Sequence, residues 1–255
     1  NITGLTIPFA AEIEFYGVVA LSNAVGGVTV CVADKIEDDY TQTYLDPGEH
    51  TLQGMAALQF LRTRHGVGDG SDITRISNQQ VFLTALVRKL TADGTLNNPT
   101  TLYSLAKASL ANMTLSDSLL DPARMVSIAL ALKNIPLDNI TFVQYPNVYV
   151  AGGGGVEIEQ SAAAVLNQAL QNDERIQLSG NTGGGAAVDE LQTQAQASAS
   201  AAPAAPTASA SASASATAAP TAPATAAPLA TLPSNVTGTT AGTVTCSKGR
   251  TLDNQ

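Results

Sequence analysis

The sequence predicts an α/β domain with strands and helices in layers. Three observations predict it: short β-branched runs such as VTVCV and ITFV, helix-length segments with apolar residues three and four apart, and their alternation along the chain. The chain opens on a strand-like AEIEF. An apolar helix follows over about 16–25, and the Gly26-Gly27 pair supplies its cap before a strand over 28–33. The segment from Asp34 to Leu52 is polar and reads as a connection, with a turn at Asp46-Pro47-Gly48. QGMAALQFL is a short helix leading into RTRH, which reads as extended. A Gly/Asp loop, GVGDGS, precedes a long helix from Asp72 to Leu90, with Ser71 as its N-cap. Two more helices are expected at about 99–113 and 117–132, the second closed by Pro136. ITFVQYP and VYVAGG are late strands, and EIEQSAAAVLNQALQND is a final helix.

Composition divides the chain into a domain over 1–182, a low-complexity linker over 183–235 and a short tail over 236–255. The linker is dominated by Ala, Ser, Thr and Pro with no aromatic residue, so it cannot bury enough apolar surface to offset its ordering entropy. It reads as a disordered, semi-stiff spacer of the kind that crosses cell walls. Cys31 lies in an apolar strand and Cys246 in the tail. Two cysteines allow one intramolecular pair, which an oxidising compartment would permit. Residues 15–33 carry no charge, but Ser22, Asn23 and the glycine pair interrupt them, which argues against a membrane span. The chain enters directly into a strand with no secretory leader, so part of the domain and any anchor are expected upstream of residue 1.

The net charge is −9, from 12 Lys+Arg against 21 Asp+Glu, which speaks against general nucleic-acid binding. Yet Arg62, Arg64, Arg75, Arg88 and Lys89 fall within residues 62–89, with only Asp69 and Asp72 among them. If FLRTRH is extended, Arg62 and Arg64 point to one side about 7 Å apart, which is unfavourable without an anion between them. In the helix that follows, Asp72, Arg75 and Gln79 share a face, which continues through Leu83, Leu86 and Leu90. A stripe facing a core should be apolar throughout. A stripe polar for two turns and then apolar lines a cleft, and the helix N-terminus there favours an anion. A bound diphosphate satisfies this pattern; a buried Arg–Asp network organising the loop is the structural alternative. Asp72 holds either Arg75 or a divalent cation shared with phosphate. His65 is either a general base or a loop hydrogen-bonding group.

SNAVGGVTVCV followed by LDPGEHTLQGMAALQFLRTRHGVGDGSDITRISNQQVFLTAL resembles the LytR–CpsA–Psr family. The resemblance rests on Leu52, Gly54, Ala57, Leu58, Phe60, Arg62, Arg64, Asp72, Arg75 and Gln79 in ordered spacing. It implies the αβα fold of that family around a central mixed sheet. It also implies a Mg²⁺-dependent phosphotransferase at the outer face of the cell membrane, in the extracytoplasmic cell envelope. Such an enzyme moves an anionic glycopolymer from a polyprenyl-diphosphate carrier to peptidoglycan. By the same resemblance, Arg62, Arg64, Arg75 and Gln79 hold the diphosphate and Leu83 and Leu86 line a tunnel for the lipid. Asp72 contributes to the metal, whose main ligand is expected upstream of residue 1. Position 78 is Asn where many relatives carry Arg, one cation fewer. The alternatives are a module that binds polyprenyl diphosphate or wall polymer without chemistry, and a transcription attenuator. The acidic balance and the lack of a helix-turn-helix signal argue against the latter. The Ala/Pro-rich linker suggests an actinobacterial wall.

Overall fold

The computed structural model describes residues 2–92, 105, 107–108, 110–189, 192 and 228–250. The fold is mixed α/β around a four-stranded mixed sheet. Strand β1 (Ala11–Ile13) leads into helix α1 (Phe15–Ala24) and strand β2 (Val28–Val32). Gly26 and Gly27 close α1 as their order predicts. Both take positive φ, and the Gly27 amide donates to the Ser22 carbonyl at 2.8 Å. On β2, Val28, Val30 and Val32 are buried while Thr29 is exposed, so one face of the strand meets the core.

The polar connection after β2 is not a loop. It folds as β3 (Ile36–Asp38), β4 (Thr43–Leu45) and β5 (Gly48–Leu52). β3 and β4 form a hairpin, and β5 pairs antiparallel with β2 in the register Val28↔Leu52 to Val32↔Gly48. Its charged composition masked it because β5 buries only Leu52. Helix α2 (Met55–Arg62) follows, then α3 (Asp72–Thr91), which packs across β2. The Ser71 hydroxyl caps α3 by accepting from the Thr74 amide at 3.2 Å. Val81, Phe82 and Ala85 of α3 join Phe60, Ile36 and the β2 valines in the main core.

Most of the helix expected over 99–113 lies outside the described residues, and Met113–Leu115 form strand β6, paired with β1. The next helix is divided: a 3₁₀ turn spans Asp117–Leu119, and α4 runs Pro122–Lys133. Strands β7 (Thr141–Val143), β8 (Asn147–Tyr149) and β9 (Val156–Ile158) precede α5 (Gln160–Gln171). Then come β10 (Arg175–Gln177), β11 (Ala186–Val188), β12 (Leu229–Thr231), β13 (Gly238–Thr240) and β14 (Thr245–Ser247).

These last strands correct the division of the chain. The tail is not separate: β14 sits inside the main sheet, whose order is β11-β14-β2-β5, and it runs parallel to β2. Cys246 and Cys31 are register partners and are joined as a disulfide. Both ends of the supposed linker also belong to the fold, since β11 pairs with β14 and β12 with β10. The physical reason is that a strand in an existing sheet needs little apolar content of its own, since its neighbours supply the backbone partners. The remainder of the linker, 190–191 and 193–227, lies outside the described residues. No helix among the described residues is long and apolar enough to cross a membrane.

Candidate functional site

The arginine stretch is organised by a carboxylate that the motif reading passed over. Asp38, at the end of β3, is 2% exposed. Its Oδ2 accepts from the Thr63 hydroxyl at 2.7 Å and from the amides of Arg64 at 3.0 Å and His65 at 3.1 Å. Its Oδ1 accepts from the amides of Tyr40 and Thr41 at 3.0 and 3.3 Å. Burial alone would raise the Asp38 pKa. The donors outweigh it, Thr63 foremost, and hold the group at about 2. The chain leaves α2 at Thr63, with φ −59 and ψ 135, so the amides of Arg64 and His65 point away from the helix, and this carboxylate accepts them. The available signal was Asp38 two residues after an apolar Ile36 at the head of the polar run DDYTQT, where an Asp side chain readily accepts from the amide two residues on in an Asx turn.

Arg64 therefore starts from a fixed backbone. Its Nε donates to the Gly70 carbonyl at 3.0 Å and lies 3.6 Å from Asp72 Oδ1. Arg75 reaches the same oxygen at 3.1 Å from one turn along α3. Asp72 stands in the first turn of α3, where the helix dipole favours a negative charge. All three side chains are between 38% and 59% exposed, so ion pairs of this kind contribute about 0–1 kcal/mol. The magnitude decides between the two readings of the cluster. A half-exposed triad does not organise the loop; buried Asp38 does. The arginines stay open to solvent and to an anion.

Arg62 differs from the expectation. It belongs to the last turn of α2 rather than to an extended run, and its guanidinium lies over the Phe15 ring, 4.8 Å from the centroid. The two-residue spacing that put Arg62 and Arg64 on one side of a strand does not hold there. Gln79 donates to the Leu61 carbonyl at 3.0 Å and so ties α3 to the end of α2. Asn78 lies fully buried on the neighbouring face, donating to the Phe60 carbonyl and accepting from the Ser247 hydroxyl. It is a packing residue of α3. His65 is exposed with its ring 4.4 Å from that of Tyr40, so its backbone serves the Asp38 clamp and its ring stacks.

The apolar half of the α3 stripe lines a cavity of about 400 Å³. Leu83, Leu86 and Leu90 form one wall with Leu61, and Val18 and Leu21 of α1 face them. Leu61 precedes Arg62, and Leu83 follows Gln79 by one turn, so the cavity and the arginine cluster share two helices. A divalent cation finds less. Asp72 offers one carboxylate, and one of its oxygens already faces two guanidinium groups. Among the described residues the only group of three or more potential ligands is Cys31, Asp189 and Cys246, whose sulfurs are spent on the disulfide. Mg²⁺ takes about six oxygens in an octahedron, so the described side chains alone do not build its site.

Comparison with known proteins bears on this arrangement. The model of the LytR_cpsA_psr family matches residues 1–175. The cell wall biosynthesis protein LcpA of Corynebacterium glutamicum is 33% identical over 154 residues, which are 60% of this chain and 29% of that protein. The probable cell wall biosynthesis protein LcpB of the same organism is 38% identical over 98 residues, 38% of this chain and 23% of that one. The chain thus spans less than a third of the length of either relative. TagV of B. subtilis superposes with a TM-score of 0.52 at 18% identity, covering 67% of this chain and 65% of its own. Protein gbs0355 of Streptococcus agalactiae gives 0.51 at 18%, covering 67% and 58%. At such identities the structures speak for the shared fold.

Proposed function

The chain belongs to the LytR–CpsA–Psr family, and from that premise we propose that it serves cell-wall assembly as a phosphotransferase. Its substrate would be an anionic glycopolymer carried on a polyprenyl diphosphate, its acceptor peptidoglycan, and its place the extracytoplasmic envelope. The names of its two Corynebacterium relatives, both cell wall biosynthesis proteins, support the setting. The observation that carries the reading is the continuity of two unlike surfaces. Arg64 and Arg75 offer solvent-accessible donors at the N-terminus of α3, and Leu83 and Leu86 line an apolar cavity farther along it. A molecule with a doubly charged head and a hydrocarbon tail matches both.

In this reading the guanidinium groups of Arg64 and Arg75 grip the diphosphate oxygens in forked hydrogen bonds. Arg62, held over Phe15, reinforces the positive field. Gln79 keeps the two helices in register beneath the ligand. An acceptor hydroxyl attacks the phosphorus that bears the glycopolymer. The bond to the bridging oxygen breaks, and polyprenyl monophosphate leaves as the hydroxyl proton passes to solvent. Arginines already pointing at the phosphoryl oxygens stabilise the charge that gathers on them. Asp72 is the described carboxylate that would face a Mg²⁺ ion bound beside the diphosphate.

Calorimetry with geranylgeranyl diphosphate, with and without Mg²⁺, tests this on the intact chain and on Arg64→Ala. Micromolar binding that the variant loses is expected. Equal binding by both proteins would remove the arginine cluster from the site. The single carboxylate favours one competing reading, a module that grips the lipid-linked polymer without chemistry. Turnover of the labelled lipid-linked polymer in the presence of Mg²⁺ would exclude it.

A further inference from the structure

The chain returns to the arginine loop from its far end. Gly249 forms an antiparallel bridge with Val67. The Gly68 amide donates to the Lys248 carbonyl at 3.1 Å, and the Arg250 amide to the Gly66 carbonyl at 3.0 Å. Both segments also pack against the start of β3: a Cβ on Gly66 would lie 2.8 Å from the Glu37 carbonyl oxygen, and one on Gly249 would meet the carbonyl of Lys35. Residues 248–250 are thereby laid along the loop that separates Arg64 from Asp72. They are anchored just upstream by β14, by the Cys31–Cys246 disulfide and by the Ser247–Asn78 hydrogen bond.

This path sets the Arg250 side chain against Gly70. A Cβ at Gly70, where φ is +80, would come within 3.0 Å of Arg250 Nη1 and 3.3 Å of Cζ, so the missing side chain makes the room. Gly70 is also the residue whose carbonyl accepts from Arg64 Nε. Two guanidinium groups therefore flank one glycine. Among the described residues the Arg250 side chain has neither an ion pair nor a hydrogen bond, and Arg250 is exposed. Like charges packed this way repel unless an anion lies between them. No described residue pairs with this guanidinium, and its backbone amide is tied to Gly66.

We propose that Arg250 is a further anion-binding residue of the site, taking the phosphate oxygens of the lipid-linked substrate beside Arg64. The inference rests on the diphosphate reading above and adds to it that the C-terminal segment completes the grip. The low-complexity segment then lies between two parts of one site rather than between a domain and a dispensable tail.

The test is calorimetry of the full, oxidised chain with geranylgeranyl diphosphate at two salt concentrations. Wild type is compared with Arg64→Ala, Arg250→Ala and Arg250→Lys, and the melting temperature of each is recorded. Arg250→Ala should weaken binding about tenfold, the loss of one charge-assisted contact, with an unchanged melting temperature. Its affinity should also fall less steeply with salt, and Arg250→Lys should recover part of the loss. Affinity unchanged in Arg250→Ala but lost in Arg64→Ala would overturn the role of Arg250 and leave the diphosphate reading standing. No binding by wild type, or no loss in either alanine variant, would overturn both. A fall in melting temperature that accompanies weaker binding, with no recovery by lysine, would mark Arg250 as structural and also overturn the inference.

Discussion

Asp38→Asn removes one negative charge and almost no volume, and the structure makes it costly. The carboxylate accepts five hydrogen bonds, three on Oδ2 and two on Oδ1. An amide has one accepting oxygen, so whichever way the substituted side chain turns, its NH₂ faces at least two donors. A buried donor left unsatisfied costs about 1–3 kcal/mol, so two of them put the substitution at about 2–6 kcal/mol. The pH dependence gives a second figure. A pKa near 2 against an ordinary 3.8 corresponds to about 2 kcal/mol at ~1.36 kcal/mol per unit.

The sign follows from the direction of the shift. Because the folded value is depressed, the contribution is complete above about pH 4 and is lost as pH falls toward 2. Urea titrations of wild type and Asp38→Asn at pH 7, 4 and 2.5 measure both effects. The gap between the proteins should be widest at neutral pH and should narrow below pH 4. The clamp holds the Arg64 amide, so the variant should also bind geranylgeranyl diphosphate more weakly under conditions where it is still folded. A stability within 0.5 kcal/mol of wild type at pH 7, or a gap that does not change down to pH 2.5, would refute the clamp.

Other perturbations probe separate parts of the molecule. Reducing the Cys31–Cys246 bond opens a loop of 215 residues, which chain entropy values at about 5 kcal/mol. A melting temperature unmoved by a phosphine reductant, with the free thiols confirmed, would show that β14 is held without it. Leu83→Asp places a charge in the apolar cavity, so affinity for geranylgeranyl diphosphate should drop at least about tenfold while that for inorganic pyrophosphate stays constant; equal losses for both would contradict the division into head and tail. Arg88 is lowered in pKa by burial and donates to the Ala241 and Thr243 carbonyls at 3.2 and 3.1 Å. Arg88→Ala strands those carbonyls and should cost about 1–3 kcal/mol in urea unfolding, whereas a neutral result would mean that water replaces the guanidinium.

What could be read from the sequence was local. The N-cap at Ser71, the glycine closure of α1 and the two-part stripe on α3 all follow from residues within about four positions of one another. Composition misled where a strand needed partners rather than apolar residues. β5 is GEHTL and β14 is TCS, and neither shows a strand pattern by itself. Each is fixed by β2, across separations that no window spans. The site shows the same division. Asp72, Arg75 and Gln79 announce themselves by helical spacing, but Asp38 lies 26 residues from the amide of Arg64 that it holds, and Arg250 lies beyond the low-complexity segment. Arg62 failed for a different reason: FLRTRH carries no signal saying where α2 stops, and one further residue of helix sent the side chain to Phe15.

The charge balance constrains what such a site can select. A protein of net charge −9 repels polyanions at long range, and only the patch around the α3 N-terminus opposes that field. Exposed arginines screened over about 8 Å at physiological salt cannot by themselves hold a small anion against the phosphate and pyrophosphate in solution. Selectivity therefore has to come from the neighbouring cavity. Each methylene buried there contributes about 0.8 kcal/mol, so a single five-carbon isoprene unit outweighs one exposed ion pair several times over. Under the proposed function, the hydrocarbon would recruit the carrier and the arginines would orient its head. That ordering predicts that lengthening the prenyl chain should raise affinity until the cavity is filled, whereas adding a third phosphate to a short chain should change it little.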